Sequence, residues 1–124
     1  MLTQHRTSLP TRSSIRQMVK GTSTEQIIQA VCEALKVKRE DLTGPGRSGK
    51  LKVARRIAIG LILTSDPMIT LKQVGETFNR NHSTIIYNRE QFYNQNGTDR
   101  ELTNKVKMVT YLFGHDLGGK EAKL

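Results

Sequence analysis

The stretch from Leu71 to Gln91, LKQVGETFNRNHSTIIYNREQ, limits the possible folds more than any other part of the chain. Leu71, Val74, Gly75 and Phe78 recur at i, i+3, i+4 and i+7, which is one face of a short amphipathic helix. Asn79, Arg80 and Asn81 interrupt that pattern with residues that favour turns and helix N-caps. A second helical pattern follows. Ile85, Ile86, Phe92 and Tyr93 can pack inward, while Thr84, Tyr87, Asn88 and Gln91 form a polar stripe without an acid. A short helix, a tight turn and a second helix opening on Arg80, Asn81, His82, Ser83 and Thr84 make a helix-turn-helix pattern. Gly75 suits two helices that cross steeply at close range.

The rest of the chain reads as helix too. Thr22 and Glu25 make a capping-box pattern, and Ile27, Ile28, Val31 and Leu35 behind it predict a helix over about 24 to 36. KVKREDL predicts a turn and a short helical segment with Leu42 directed to the core. Gly44, Pro45, Gly46 and Gly49 predict a flexible loop. Its glycines and Lys50 do not make a nucleotide site, because Leu51 stands where a phosphate-binding loop needs Ser or Thr. From Ile57 to Leu63 the chain is almost wholly apolar, the mark of a central buried helix, which Asp66-Pro67 ends. Leu102, Val106, Val109 and Phe113 predict a last helix, capped by Thr98 or Asp99. No segment alternates with the period of a strand. The expected fold is all-α, a small helical bundle, with a basic, largely flexible N-terminal arm over 1–21, a helical domain over 22–113 and a flexible tail over 114–124. Within the arm, Ile15, Met18 and Val19 can make a short docking turn.

Charge narrows the function. Lys and Arg number 20 against 11 Asp and Glu, a net charge of +9. An excess of that size points to a polyanionic partner. It is uneven, with 12 basic and 4 acidic residues over 1–56 but 8 and 7 over 57–124. Arg47, Lys50, Lys52, Arg55 and Arg56 fall within ten residues that hold no acid. They open the central helix, where cations oppose the helix dipole by a few tenths of a kcal/mol each, a cost that an approaching phosphate would offset.

Cys32 is the only cysteine, so neither an internal disulfide nor a cysteine metal site is expected. His5, His82 and His115 share no ligand spacing. No metal, cofactor or nucleotide is implied. With no long apolar run and no signal-peptide pattern, a cytoplasmic setting without membrane contact is expected. His82 and Ser83 are adjacent on a helix and diverge, so they cannot pair as base and nucleophile, and an enzyme is not expected.

The same residues carry a family resemblance. LKQVGETF followed by RNHSTI resembles the signature of the C-terminal DNA-binding domain of the bacterial replication initiator DnaA, in which Arg-Asp-His-Thr-Thr-Val follows a Gly- and Phe-containing helix. VARRIAIGLI resembles the family's Arg-Gln-x-Ala-Met-x-Leu helix, and STEQIIQAVCEALKVKREDL its opening helix and turn. The resemblance covers about residues 22 to 113, without the family's ATPase region. It implies a Trp-repressor-like bundle and sequence-specific binding of double-stranded DNA, in replication-origin recognition or transcription regulation. The sequence leaves the oligomeric state open, with a monomer favoured. Arg80, Asn81, His82, Ser83, Thr84 and Asn88 would read bases, with Arg47, Lys50, Lys52, Arg55, Arg56, Lys72 and Arg89 on the backbone. The chain departs from the family at three points. The turn before Arg80 is one residue shorter, Asn81 replaces Asp, and Val53, beside Lys52, stands where the family has a minor-groove arginine. The competing readings are a basic protein-interaction module for an acidic partner and a non-specific nucleic-acid binder. A docking helix would carry large apolar anchors in place of the polar stripe.

Overall fold

The apolar run in the middle of the chain becomes the axis of the molecule. The computed structural model describes the backbone of residues 12–123 and the side chains of residues 14–113. In order, the helices are α1 (Arg12–Val19), α2 (Thr24–Leu35), α3 (Arg39–Thr43), α4 (Gly49–Ser65), α5 (Leu71–Phe78), α6 (His82–Gln95) and α7 (Arg100–Lys123), and the described residues contain no strand. Ala54, Ile57, Ala58, Ile59, Gly60, Leu61 and Ile62 of α4 are all buried. Helices α1, α2, α3, α6 and α7 pack around them. Apolar side chains on every side of α4 require this arrangement, since no face of it is suited to water.

The ends of the helices follow local chemistry. α4 starts because Ser48 accepts from the Leu51 N–H, and it stops at Asp66 before Pro67. α2 begins one residue later than Thr22 and Glu25 suggest. Ser23 is its N-cap and Gln26 completes the capping box, because Gln26 can reach back to the Ser23 N–H. α3 turns Leu42 fully into the core, as expected. Asp99, rather than Thr98, caps α7 by accepting from the Leu102 N–H at 2.9 Å.

The described helices extend into both proposed flanks. Residues 12–19 form α1, with Ile15 and Val19 buried against α4 and α7, so the packed domain starts before residue 22. One helical turn spaces these two residues, and that suffices for docking. The rest of the arm, residues 1–11, lies outside the described residues. At the other end, α7 buries Leu102, Val106, Val109 and Phe113, and its backbone stays helical beyond residue 114 to Lys123.

α6 crosses α4 at close range. A Cβ on Gly60 would lie 2.3 Å from the Phe92 ring, so only glycine lets that ring settle on α4. No helix among the described residues is long and apolar enough to cross a membrane.

Candidate nucleic-acid interface

Helices α5 and α6 are joined by a turn that the backbone itself closes. Asn79 adopts the left-handed conformation (φ 56°) as the C-cap of α5. The Arg80 N–H then donates to the Gly75 carbonyl at 2.8 Å. A Cβ on Gly75 would sit 2.5 Å from the Arg80 carbonyl oxygen, so glycine is required by the turn. The nearest α6 atom, on Ile85, would be at an ordinary 3.8 Å, so the helix crossing alone does not demand it. Val74, Gly75 and Phe78 are buried, as the periodicity predicts. Asn81 ends the turn as the N-cap of α6, its Oδ1 accepting from the Thr84 N–H at 3.0 Å.

The faces of α6 are rotated from those the sequence suggests. Ile85, Asn88 and Phe92 point inward. His82, Ser83, Ile86, Tyr87 and Glu90 point outward, with Thr84 and Gln91 half-buried between. Asn88 was expected on the outer stripe but is only 8% exposed, and Ile86 was expected inside but is 37% exposed. The cause is Arg56 on α4. Its Nε donates to Asn88 Oδ1 at 3.3 Å and its Nη1 to Gln95 Oε1 at 3.0 Å, while its guanidinium lies 5.7 Å from the Tyr87 ring centre. Asn88 also donates to the Thr84 carbonyl at 2.9 Å, so its amide is committed on both sides. A polar residue drawn inward by a half-buried partner on another helix leaves no trace in the hydrophobic pattern.

The cations before and within α4 divide into two groups. Arg47, Lys50 and Lys52 are exposed, with Lys50 Nζ resting on the Lys36 carbonyl at 3.2 Å. Arg55 was expected to meet phosphate, yet it is only 5% exposed. Its Nε donates to the Leu42 carbonyl at 2.7 Å, and its Nη2 to those of Asp41 and Gly44 at 3.1 and 3.3 Å. Burial, and then the charge of Arg80, push its guanidinium below its ordinary pKa. Arg80 is half-buried and donates from Nη1 to the Phe78 carbonyl at 2.9 Å and from Nη2 to the Gly44 carbonyl at 2.8 Å. Between the loop and the turn lies a cleft of about 440 Å³, lined by Pro45, Gly46, Arg47, Lys52, Arg55 and Arg80. Val53 packs partly against the core, leaving Lys52 as its exposed neighbour. Lys72 is exposed in the first turn of α5, and Arg89 is half-buried, 3.9 Å from Glu90.

The structure therefore brings Arg47, Lys52, Arg55 and Arg80 together around one cleft. Arg56 and Asn88 meet in a second cluster beneath the outer face of α6. The model of the bacterial DnaA protein helix-turn-helix family matches residues 24–91, more than half of the 124 residues. The chain belongs to that family. The match runs from α2 almost to the end of α6, and so takes in the basic loop, α4, α5, the turn and most of α6. It leaves out α1 and α7, which complete the core around α4. The family is a DNA-binding one, and its helix-turn-helix is a binding element, not a catalytic one. Ile86 and Glu90 are outer-face residues that the expected polar stripe left out.

Proposed function

We propose that the protein binds double-stranded DNA sequence-specifically, without catalysis, as a cytoplasmic factor for replication-origin recognition or transcription regulation. The observation that carries this reading is the exposed N-terminal end of α6 beside the outward cations of the loop before α4. In a helix-turn-helix the start of the second helix reaches base edges in the major groove, while flanking cations meet phosphates. Asn81, His82, Ser83 and Thr84 are the base-facing set. The outward Ile86 adds an apolar surface for a thymine methyl. Arg47, Lys50, Lys52, Lys72 and Arg89 take the backbone role. Asn88 and Arg56 serve from beneath, holding α6 to α4 through the hydrogen bond between them.

Selection of bound sites from random duplex DNA, followed by affinity measurements over a range of salt, tests this. Enrichment of one sequence supports the reading, and an unenriched pool makes the protein a general nucleic-acid binder. Absence of duplex binding even at low salt would favour the acidic-partner alternative. Each phosphate neutralised contributes about −0.9 to the slope of log K against log salt. Lys52→Ala should weaken binding to all sequences alike and flatten the slope by roughly one unit. An unchanged slope would make this lysine a spectator.

A further inference from the structure

Two guanidinium groups meet at a single backbone oxygen, that of Gly44. Arg80 reaches it from the helix-turn-helix at 2.8 Å, and Arg55 reaches it from α4 at 3.3 Å. Neither forms an ion pair with an acid among the described residues. Helix ends compensate instead. The last carbonyls of a helix lack intrahelical partners and carry partial negative charge. Arg55 donates to the Asp41 and Leu42 carbonyls in the last turn of α3. Arg80 donates from Nη1 to the Phe78 and Asn79 carbonyls, at 2.9 and 3.3 Å, where α5 ends. Asn79 adds a second link between the same two places, with its Nδ2 3.4 Å from the Thr43 carbonyl. The chain leaving α3 has little slack, because a Cβ on Gly44 would stand 2.6 Å from the Glu40 carbonyl oxygen.

We propose that Arg80 is a positioning residue, which fastens the loop at residues 44–48 to the helix-turn-helix turn and so holds the loop cation Arg47 and the start of α6 in one register for a duplex. The proposal rests on the DNA-binding reading and changes the part Arg80 plays in it. A base-reading arginine offers a pair of N–H groups to guanine. Arg80 instead directs both terminal nitrogens at protein carbonyls in the free protein, using three of its five N–H groups. The bond from Nη2 spans from the turn at residues 79–81 to Gly44, where the loop at residues 44–48 begins, while the Nη1 bonds hold the guanidinium to the turn itself. Arg47 lies three residues after Gly44 in that loop, so its placement relative to α6 depends on where Gly44 is held, whereas Lys50 and Lys52 are carried by α4.

Arg80→Lys, which keeps the charge and loses the planar fork, is the test. Trypsin cleavage after Arg47 should quicken by about tenfold, as expected when charge-assisted hydrogen bonds to the loop are lost, with a melting temperature close to that of the unaltered protein. Affinity should fall in the same ratio for the preferred site and for random duplex. The salt slope should flatten by about one unit, because the loop cation Arg47, worth about 0.9, would disengage. Loss confined to the preferred site, with an unchanged slope, would make Arg80 a base reader and overturn the proposal. An unchanged slope in Arg80→Lys with a one-unit change in Arg80→Ala would make it a single phosphate contact, with the same consequence. If Arg80→Lys does not fold, proton exchange at the Arg80 guanidinium of the unaltered protein decides. Protection in the free protein supports the clamp, and protection that appears only with DNA overturns it. An unaltered protein that does not bind duplex DNA defeats the underlying reading, whereas the trypsin result would still report whether Arg80 holds the loop.

Discussion

The bundle of α1, α2, α4 and α7 and the end formed by α3, the basic loop, α5 and the helix-turn-helix turn share one apolar core. The second contributes Leu42, Val74 and Phe78 to that core but adds guanidinium links to it. In the bundle, Ile15, Ile27, Val31, Ile57, Ile62, Val106 and Val109 are buried against one another. At the other end, the links are Arg55 to the α3 carbonyls, Arg80 to Gly44, and Arg56 to Asn88 and Gln95. Apolar packing tolerates many volume-conserving exchanges. Hydrogen bonds between fixed carbonyls and a planar guanidinium set distance and direction at once. The difference suits the division of labour, since the bundle has only to be stable, whereas the other end has to hold a shape that matches a duplex.

The sharpest way to break this division is at its joint, where Phe92 of α6 lies on Gly60 of α4. Phe92→Ala should cost about 3–5 kcal/mol, the range for removing a fully buried ring. Gly60→Ala should cost about 1–3 kcal/mol through overpacking, even with the roughly 1 kcal/mol that alanine gains in a helix. Combining Gly60→Ala with Phe92→Leu should cost less than the two single changes added together, because the smaller side chain makes room. Denaturant unfolding gives all these values. Strict additivity would show that the ring and the glycine are not in contact.

The bundle was legible in the sequence and the polar end only partly so. Periodicity identified Ile57 to Leu63 as a buried axis and placed Val74, Gly75 and Phe78 inside, because apolar burial leaves a repeat in the chain. Docking of α1 was visible only as Ile15, Met18 and Val19, too short a pattern to outweigh the polar residues around it. Arg55 and Arg56 are neighbours of the same type, yet one caps α3 and the other lies against Tyr87. Their different fates depend on where two helix ends fall in space. Asn88 was misplaced for a related reason, since its partner Arg56 is 32 positions away.

A finer test separates what Asn81 does for the fold from what it does for recognition. Its Oδ1 caps α6, so Asn81→Ala should cost about 0.5–2 kcal/mol. Asn81→Asp should keep full stability, because aspartate caps as well and its charge favours the helix N-terminus by a few tenths of a kcal/mol. The same change should move the preference at one base pair towards cytosine, whose N4 donates to a carboxylate. Thermal melts and a repeated site selection measure the two effects independently. An Asp variant as unstable as the Ala variant would rule out the cap.

The smallest effect belongs to an arginine with the same fork in open water. Arg39 on α3 grips Glu25 on α2 through both carboxylate oxygens, yet the two side chains are 49% and 69% exposed. Solvent screens such a pair, so a double-mutant cycle with Glu25→Gln and Arg39→Gln should give a coupling below about 1 kcal/mol. About 1 M salt, with a screening length near 3 Å, should reduce it further. Its pH dependence has a definite sign. The hydrogen bond from Arg39 is the main cause that holds the Glu25 carboxyl below its ordinary pKa in the folded protein. The stabilisation is therefore fully present above the unfolded value of about 4.3, and it is lost as the pH falls through the lower folded value. The stability difference between the unaltered protein and Glu25→Gln should be level near neutrality and close only in acid. A coupling well above 1 kcal/mol that ignored both salt and pH would mean that the surface pair is as directional as the buried ones. The contrast between an exposed Arg39 and an enclosed Arg55 would then have to rest on something other than burial.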